Sequence, residues 1–267
     1  MNSHWNAFTY DIDENPGSED ALGRLLRNQA AVFVLRDNSL RSGFAALTTE
    51  ILRRRDRALV SQYSNCSLTT IGTYLARHLA DPARYFDASS SANDLFATQK
   101  TDLRALVRAR LKSFLQLNSL NVASESGDRL YAPAVVRIHA DGVSNPLHND
   151  NIVRDAARTG LVLSRLRYQF SCVSCLQECD LGGELLHYQR RWCSSDEVFK
   201  VKDGLGYHPG VVENAQLCEF RPSTGDVYIM DPTNYHAIRA VLGGVRITMG
   251  FFFGFFDEDC KEGVCWC

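Results

Sequence analysis

Lysine is nearly missing from this sequence. It occurs only at Lys100, Lys112, Lys200, Lys202 and Lys261, so arginine supplies most of the 29 basic residues set against 31 acidic ones. The formal net charge of -2 leaves no excess of either sign to draw in DNA, RNA or an anionic lipid surface, and no nucleic-acid or membrane partner is expected. Long apolar runs are lacking too. The longest, from Ile247 to Phe256, falls well short of the roughly 20 residues that cross a bilayer, and Gly250 and Gly254 interrupt it. Met1-Asn2-Ser3-His4-Trp5 brings no basic stretch ahead of an apolar one, so a secretory leader is not expected. No internal repeat, low-complexity tract or linker is visible, which argues against a string of small modules.

What is present is an ordinary globular composition, 45% hydrophobic and 22% charged over 267 residues, which fits one large domain spanning 1–267. The nine cysteines are odd in number and spread over a chain long enough to build its own core. Reduced thiols in a cytoplasmic protein are the simplest expectation.

Residues 1–130 read mainly as a helical support region. Ser18 can cap a helix that carries Glu19 and Asp20 in its first turn. Ala31 to Leu35 is a short buried strand, and Phe44, Leu47 and Ile51 recur at helical spacing. The cluster Arg53, Arg54, Arg55 and Arg57 falls where cations suit a helix C-terminus, so it reads as a solvated end. Leu103, Val107, Leu111 and Phe114 mark one face of a further helix. From 131 to 267 the texture is β. Strand-like runs at Val135–Ile138, Tyr168–Val173, Glu184–Tyr188, Asp226–Met230 and Val245–Met249 are separated by glycine and proline turns. Short strands punctuated in this way predict an antiparallel sandwich or barrel with the helices packed outside it.

The chemistry-bearing stretch begins at His148-Asn149-Asp150. In an extended segment, residues two apart share a face, so imidazole and carboxylate can converge. His236 lies further on, after the run Asp226–Met230. Two histidines and one carboxylate can form a facial triad, which leaves three positions open and suits non-haem Fe(II). Singly, His148 reads as well as a turn residue after Pro146, and His236 as a polar loop residue after Pro232. Arg246 and Thr248 then share a strand face, and an arginine fork beside a hydroxyl can hold a carboxylate by charge-assisted bonds. The apolar neighbours Val245, Ile247, Met249 and Phe251 place that arginine in a buried strand, where it needs an anion.

In these features the chain resembles the Fe(II)/2-oxoglutarate-dependent oxygenase superfamily. The matching residues are His148-x-Asp150, Gly182-Gly183-Glu184-Leu185, Gly225-Asp226-Val227-Tyr228, His236 and Arg246-x-Thr248, in the family's order over about Tyr131 to Phe256. The resemblance implies a mainly β fold: a double-stranded β-helix, the cupin-like jelly roll, packed against N-terminal helices. It implies one catalytic domain in which His148, Asp150 and His236 bind Fe(II), and Arg246 with Thr248 binds the distal carboxylate of 2-oxoglutarate. His139 stands where many members place a tyrosine against this cosubstrate, and a neutral imidazole could donate a similar hydrogen bond. The implied reaction uses O2, converts 2-oxoglutarate to succinate and CO2, and oxidises an unactivated carbon; ascorbate can serve as reductant. Halogenating members usually have glycine or alanine at the carboxylate position, so Asp150 points to hydroxylation, or to desaturation, ring closure or epoxidation.

The expected substrate is a small molecule, an amino acid or a secondary metabolite. A protein side chain is the alternative substrate, and a non-catalytic cupin-like metal binder the alternative class. Asn151 and Arg154 lie where the mouth of such a site should be and are candidates for substrate contact, although a polar rim loop is the plainer reading. Cys172, Cys175 and Cys179 resemble the start of a zinc motif. On a strand, however, the first two face opposite ways, and no second half-site exists. The run Phe251-Phe252-Phe253 with Phe255-Phe256 fits a strand buried on both faces, with room for one ring to line the pocket.

Overall fold

The computed structural model describes residues 5–12, 20–91, 102–127 and 129–267. Eight strands form its centre: Val135–His139, Asn145–His148, Tyr168–Gln177, Leu185–Arg191, Leu217–Phe220, Asp226–Met230, Asn234–Ile238 and Arg246–Phe255. Four of them lie side by side in a larger sheet, in the order Asp226–Met230, Tyr168–Gln177, Arg246–Phe255, Val135–His139. The other four make a smaller sheet, in the order Leu217–Phe220, Leu185–Arg191, Asn234–Ile238, Asn145–His148. All six pairings within these two sets are antiparallel. A chain that passes between two facing sheets in this order is a double-stranded β-helix.

The expectation of a mainly helical 1–130 needs correcting. Strands Ala7–Asp11, Val32–Arg36, Leu59–Gln62, Ser67–Ile71 and Ser119–Val122 extend the larger sheet, which reaches ten strands with Glu262–Trp266. Of these the sequence reading anticipated only the second. Ala7–Asp11 and Leu59–Gln62 sit at the two ends of the sheet, and their half-exposed side chains carry little of the apolar signature that marks a central strand. The helices are where periodicity placed them, at Arg41–Arg53 and Leu103–Phe114. The second is capped by Asp102, whose carboxylate accepts from the backbone N–H of Arg104 at 3.0 Å and of Ala105 at 3.3 Å. The proposed cap at Ser18, with Glu19, lies outside the described residues; the helix itself is Ala21–Leu26.

Period-two alternation explains how the layers hold together. Along Arg246–Phe255, the residues Ile247, Met249, Phe251, Phe253 and Phe255 point outward into a core shared with Phe44, Leu47, Ile51, Val107, Leu111 and Phe114 of the two helices. Burying each such side chain is worth about 1.5–3 kcal/mol, so this outer layer carries much of the stability. Val136, Ile138, Val227 and Ile229 join it from the neighbouring strands. The intervening residues Arg137, His139, Tyr228, Arg246 and Thr248 therefore face the smaller sheet. Cys172 belongs to the outer core, whereas Cys175 pairs in register with inward-facing Thr248, so the two do face opposite ways. All nine cysteines are free thiols. No helix among the described residues is long and apolar enough to cross a membrane.

Candidate metal centre and cosubstrate chamber

His148 ends its strand, and His236 is its register partner on the adjacent strand of the smaller sheet. Asp150 does not share an extended segment with His148, as the sequence suggested. It sits in the following loop, where its backbone N–H donates to the Pro232 carbonyl at 2.9 Å. That turn carries the carboxylate to the histidines: Oδ2 lies 3.8 Å from His148 Nε2 and 3.6 Å from His236 Nε2. One donor atom from each residue falls within 4.8 Å of the others. Donors held about 2.1 Å from a metal at right angles lie about 3 Å apart, so the triangle is of the right size for one ion.

The tautomers suit a metal as well. His148 Nδ1 donates to the Pro146 carbonyl at 2.7 Å, and His236 Nδ1 donates to the Asn234 carbonyl at 3.0 Å. A carbonyl can only accept, so each ring carries its proton on Nδ1 and turns the lone pair of Nε2 toward Asp150. Burial, with the neighbouring His236, pushes His148 down to about 4, which keeps that lone pair free near neutrality. Burial opposes ionisation of Asp150, but an Nε2 proton taken up by His236 or His148 would bind the carboxylate, and this, with the charge of Arg137, holds the carboxyl well below its usual range. His187, which the sequence reading missed, is fully buried and pairs in register with His236. Its ring nitrogens lie 3.0 Å from the carbonyls of Ala31 and Asp231, which fixes the ring packed edge-on against His236 at 6.2 Å between centroids.

Behind the triad, an inner chamber of about 80 Å³ is closed by Arg246, Thr248, His139 and Tyr228. Arg246 is 3% exposed, and a hydroxyl, Tyr228 Oη, accepts from it at 3.3 Å. Among the described residues no carboxylate oxygen lies within 4.0 Å of its guanidinium. A buried cation left in that state needs an anionic ligand. His139 is buried beside it in register, and burial with the Arg246 charge pushes it down to about 3, so the ring is neutral. Its Nδ1 has no hydrogen-bond partner. The glycine at 183 makes room for this arrangement. It adopts φ +70°, and a Cβ there would come within 3.0 Å of Arg246 Cδ.

An outer chamber of about 110 Å³ opens on the other side of the triad. Leu75, Ile152, Phe252 and Trp266 supply apolar wall, so one ring of the phenylalanine run does line the site. Asn151 borders this chamber and caps the short helix Ile152–Asp155 by accepting from the Arg154 N–H. Of the two candidates for substrate contact, Arg154 borders neither chamber. Its guanidinium bonds Asn149 Oδ1 at 2.7 Å, pairs with Asp155 and lies 4.8 Å from the centre of the Trp192 ring. The sequence reading also gave no role to Arg137, Asn145 or Tyr228. The alternation that singled out Arg246 would have found Arg137, because Val136 and Ile138 flank it just as Val245 and Ile247 flank Arg246.

Fold and donor set together define a non-haem iron oxygenase of the 2-oxoglutarate-dependent superfamily. The residues present fit both groups: the triad offers Fe(II) two imidazoles and a carboxylate, and the unpaired Arg246 with the unpartnered His139 nitrogen fits an anionic cosubstrate.

Within that superfamily, the family described as the carrier-protein-independent halogenase WelO5 matches residues 5–266, and the chain belongs to it. Leucinostatins biosynthesis cluster protein S of Purpureocillium lilacinum is 22% identical over 204 residues, covering 72% of this chain and 82% of that protein. Among solved structures, an N-substituted L-amino acid dioxygenase from Burkholderia ambifaria AMMD aligns with a TM-score of 0.62 at 16% identity, over 92% of this chain and 90% of that one. HygX from Streptomyces hygroscopicus, with nickel and 2-oxoglutarate bound, aligns with a TM-score of 0.51 at 13% identity, over 89% and 87% of the two chains. At these identities the solved structures speak to the fold.

Proposed function

We propose that this protein hydroxylates, or otherwise oxidises without halogenation, an unactivated carbon of a small molecule, an amino acid or a secondary metabolite. The observation that carries the reading is Asp150 at the third corner of the triad. An octahedral ion has six positions. With His148, Asp150 and His236 as ligands, a bound Fe(II) would keep only the three positions that the cosubstrate and O2 require, and none for a halide. The family's description as a halogenase therefore meets a residue in this chain that opposes halogenation.

His148, Asp150 and His236 would hold the Fe(II), and Arg246 with Thr248 and Tyr228 would grip the distal carboxylate of 2-oxoglutarate. His139 would donate its Nδ1–H to the same molecule. When bound, iron and cosubstrate supply the oxidising power from O2. The protein supplies placement, the proton positions on its two ligand imidazoles, and a largely apolar outer chamber that keeps water from the reacting carbon. Support for a small substrate comes from the size of that chamber, from the biosynthetic-cluster relative and from the amino acid dioxygenase that shares the fold.

The test is to supply Fe(II), ascorbate, 2-oxoglutarate, O2 and excess chloride with a panel of N-substituted amino acids and related metabolites, then follow succinate and product masses. The expected product gains oxygen, or loses hydrogen, and carries no chlorine isotope pattern. A chlorinated product from the unaltered protein refutes the reading. Absence of a visible charge-transfer band on anaerobic mixing with Fe(II) and 2-oxoglutarate favours a non-catalytic metal binder instead.

A further inference from the structure

Two arginines face the interior between the sheets from the central strands. Arg246 is accounted for by the cosubstrate. The other, Arg137, projects from Val135–His139 beside Thr248, its register partner, and borders both the inner and the outer chamber. Its guanidinium lies 5.4 Å from the centre of the Tyr74 ring, another wall of the outer chamber. Among the described residues no carboxylate oxygen approaches it within 4.0 Å.

The side-chain acids that border the outer chamber have other work. Asp150 belongs to the metal triad, and Asp155 is paired with Arg154. Charge can be followed through the loaded site. The two positive charges of Fe(II) and the one on Arg246 balance the carboxylate of Asp150 and the two carboxylates of 2-oxoglutarate. Arg137 then remains a cation with no ion-pair partner of its own among the described residues, against a largely apolar wall, where an unpaired charge is costly.

We propose that Arg137 anchors a carboxylate of the substrate and so selects amphiphilic acids: an apolar body along Tyr74, Phe252 and Trp266 with an anionic head at Arg137. Asn145 borders both chambers too, and its buried Oδ1 has no partner. It stands ready to accept from an N–H or O–H carried near that head. A guanidinium fork suits a carboxylate better than an ammonium would, because it matches two oxygens at once. The inference rests on the outer chamber being the small-molecule site, but it does not depend on which oxidation follows.

The experiment uses the full chain loaded anaerobically with Fe(II) and saturating 2-oxoglutarate, which keeps the Arg246 position filled. Calorimetry then compares 3-phenylpropionate with its uncharged amide, 3-phenylpropanamide. The unaltered protein is expected to prefer the acid by roughly tenfold or more. Arg137→Gln should bring the ratio close to one while the affinity for 2-oxoglutarate stays within about twofold, and Arg137→Lys should restore part of the preference.

Equal binding of acid and amide, or binding of neither, overturns the proposal. So does a preference that survives Arg137→Gln. Loss of 2-oxoglutarate affinity in Arg137→Gln, or competition between the acid and 2-oxoglutarate, would assign the arginine to the cosubstrate and equally overturn it. Failure of the hydroxylation reading would show instead as a chlorinated product, which this binding assay does not touch.

Discussion

The two faces of the strand Arg246–Phe255 answer to different demands. Outward, Ile247, Met249, Phe251, Phe253 and Phe255 merge into one apolar layer under the helices. Inward, Arg246 and Thr248 close the inner chamber behind the triad, and Phe252 walls the outer one. The outer residues act collectively and non-directionally, so neighbours share the loss of any one. Each inner polar group does a task for which no neighbour substitutes. Stability and chemistry are thus assigned to opposite sides of the same ten residues.

The largest departure is expected on the inner face. Arg246→Ala should weaken 2-oxoglutarate by about 3 kcal/mol or more, over a hundredfold, because a buried charge pair loses one partner. The melting temperature of the unloaded protein should hold or rise, since the substitution removes a buried unpaired cation. Anaerobic titration and a thermal melt read the two effects separately. Normal cosubstrate affinity in this variant would break the comparison at once.

On the outer face the pattern should invert. Phe253→Ala leaves a cavity in the helix-covered layer and should cost about 3–5 kcal/mol, a fall in melting temperature on the order of 10 °C for a chain of this length. The folded fraction should bind Fe(II) and 2-oxoglutarate as before. If cosubstrate affinity falls in step with stability, the two faces are coupled and their separation is wrong.

This division also explains what the sequence made legible. Central strands and amphipathic helices announce themselves by period, and the three candidate metal ligands and Arg246 by residue type and order. Edge strands such as Leu59–Gln62 do not, because half their side chains meet water and little apolar pattern survives. His187 and Arg137 went unnoticed for another reason. A histidine or arginine gains meaning from what the fold sets beside it, His236 on the neighbouring strand for one and the Tyr74 ring for the other. Those contacts join segments far apart in the chain. Arg154 lies near Asp150 in sequence but not in either chamber, because its helix turns the guanidinium toward Trp192.

Acid should act on the inner side too, by a smaller amount. His139 is buried there without a hydrogen-bond partner on Nδ1, and burial, helped by the Arg246 charge, pushes it down to about 3. An unfolded histidine titrates near 6.5. Between those two values the unfolded chain binds more protons than the folded one, so stability must fall as pH is lowered from 7 toward 3. At pH 4.5 this ring should cost roughly 2–3 kcal/mol relative to neutrality. Urea unfolding of the metal-free protein at pH 7 and pH 4.5 measures this. His139→Gln should flatten the dependence by about one proton, whereas Phe253→Ala, on a face that carries no histidine, should lower stability equally at both values. An acid slope unchanged in His139→Gln would mean that this imidazole is not held neutral by its surroundings, and the inner face would then be less dry than its contacts imply.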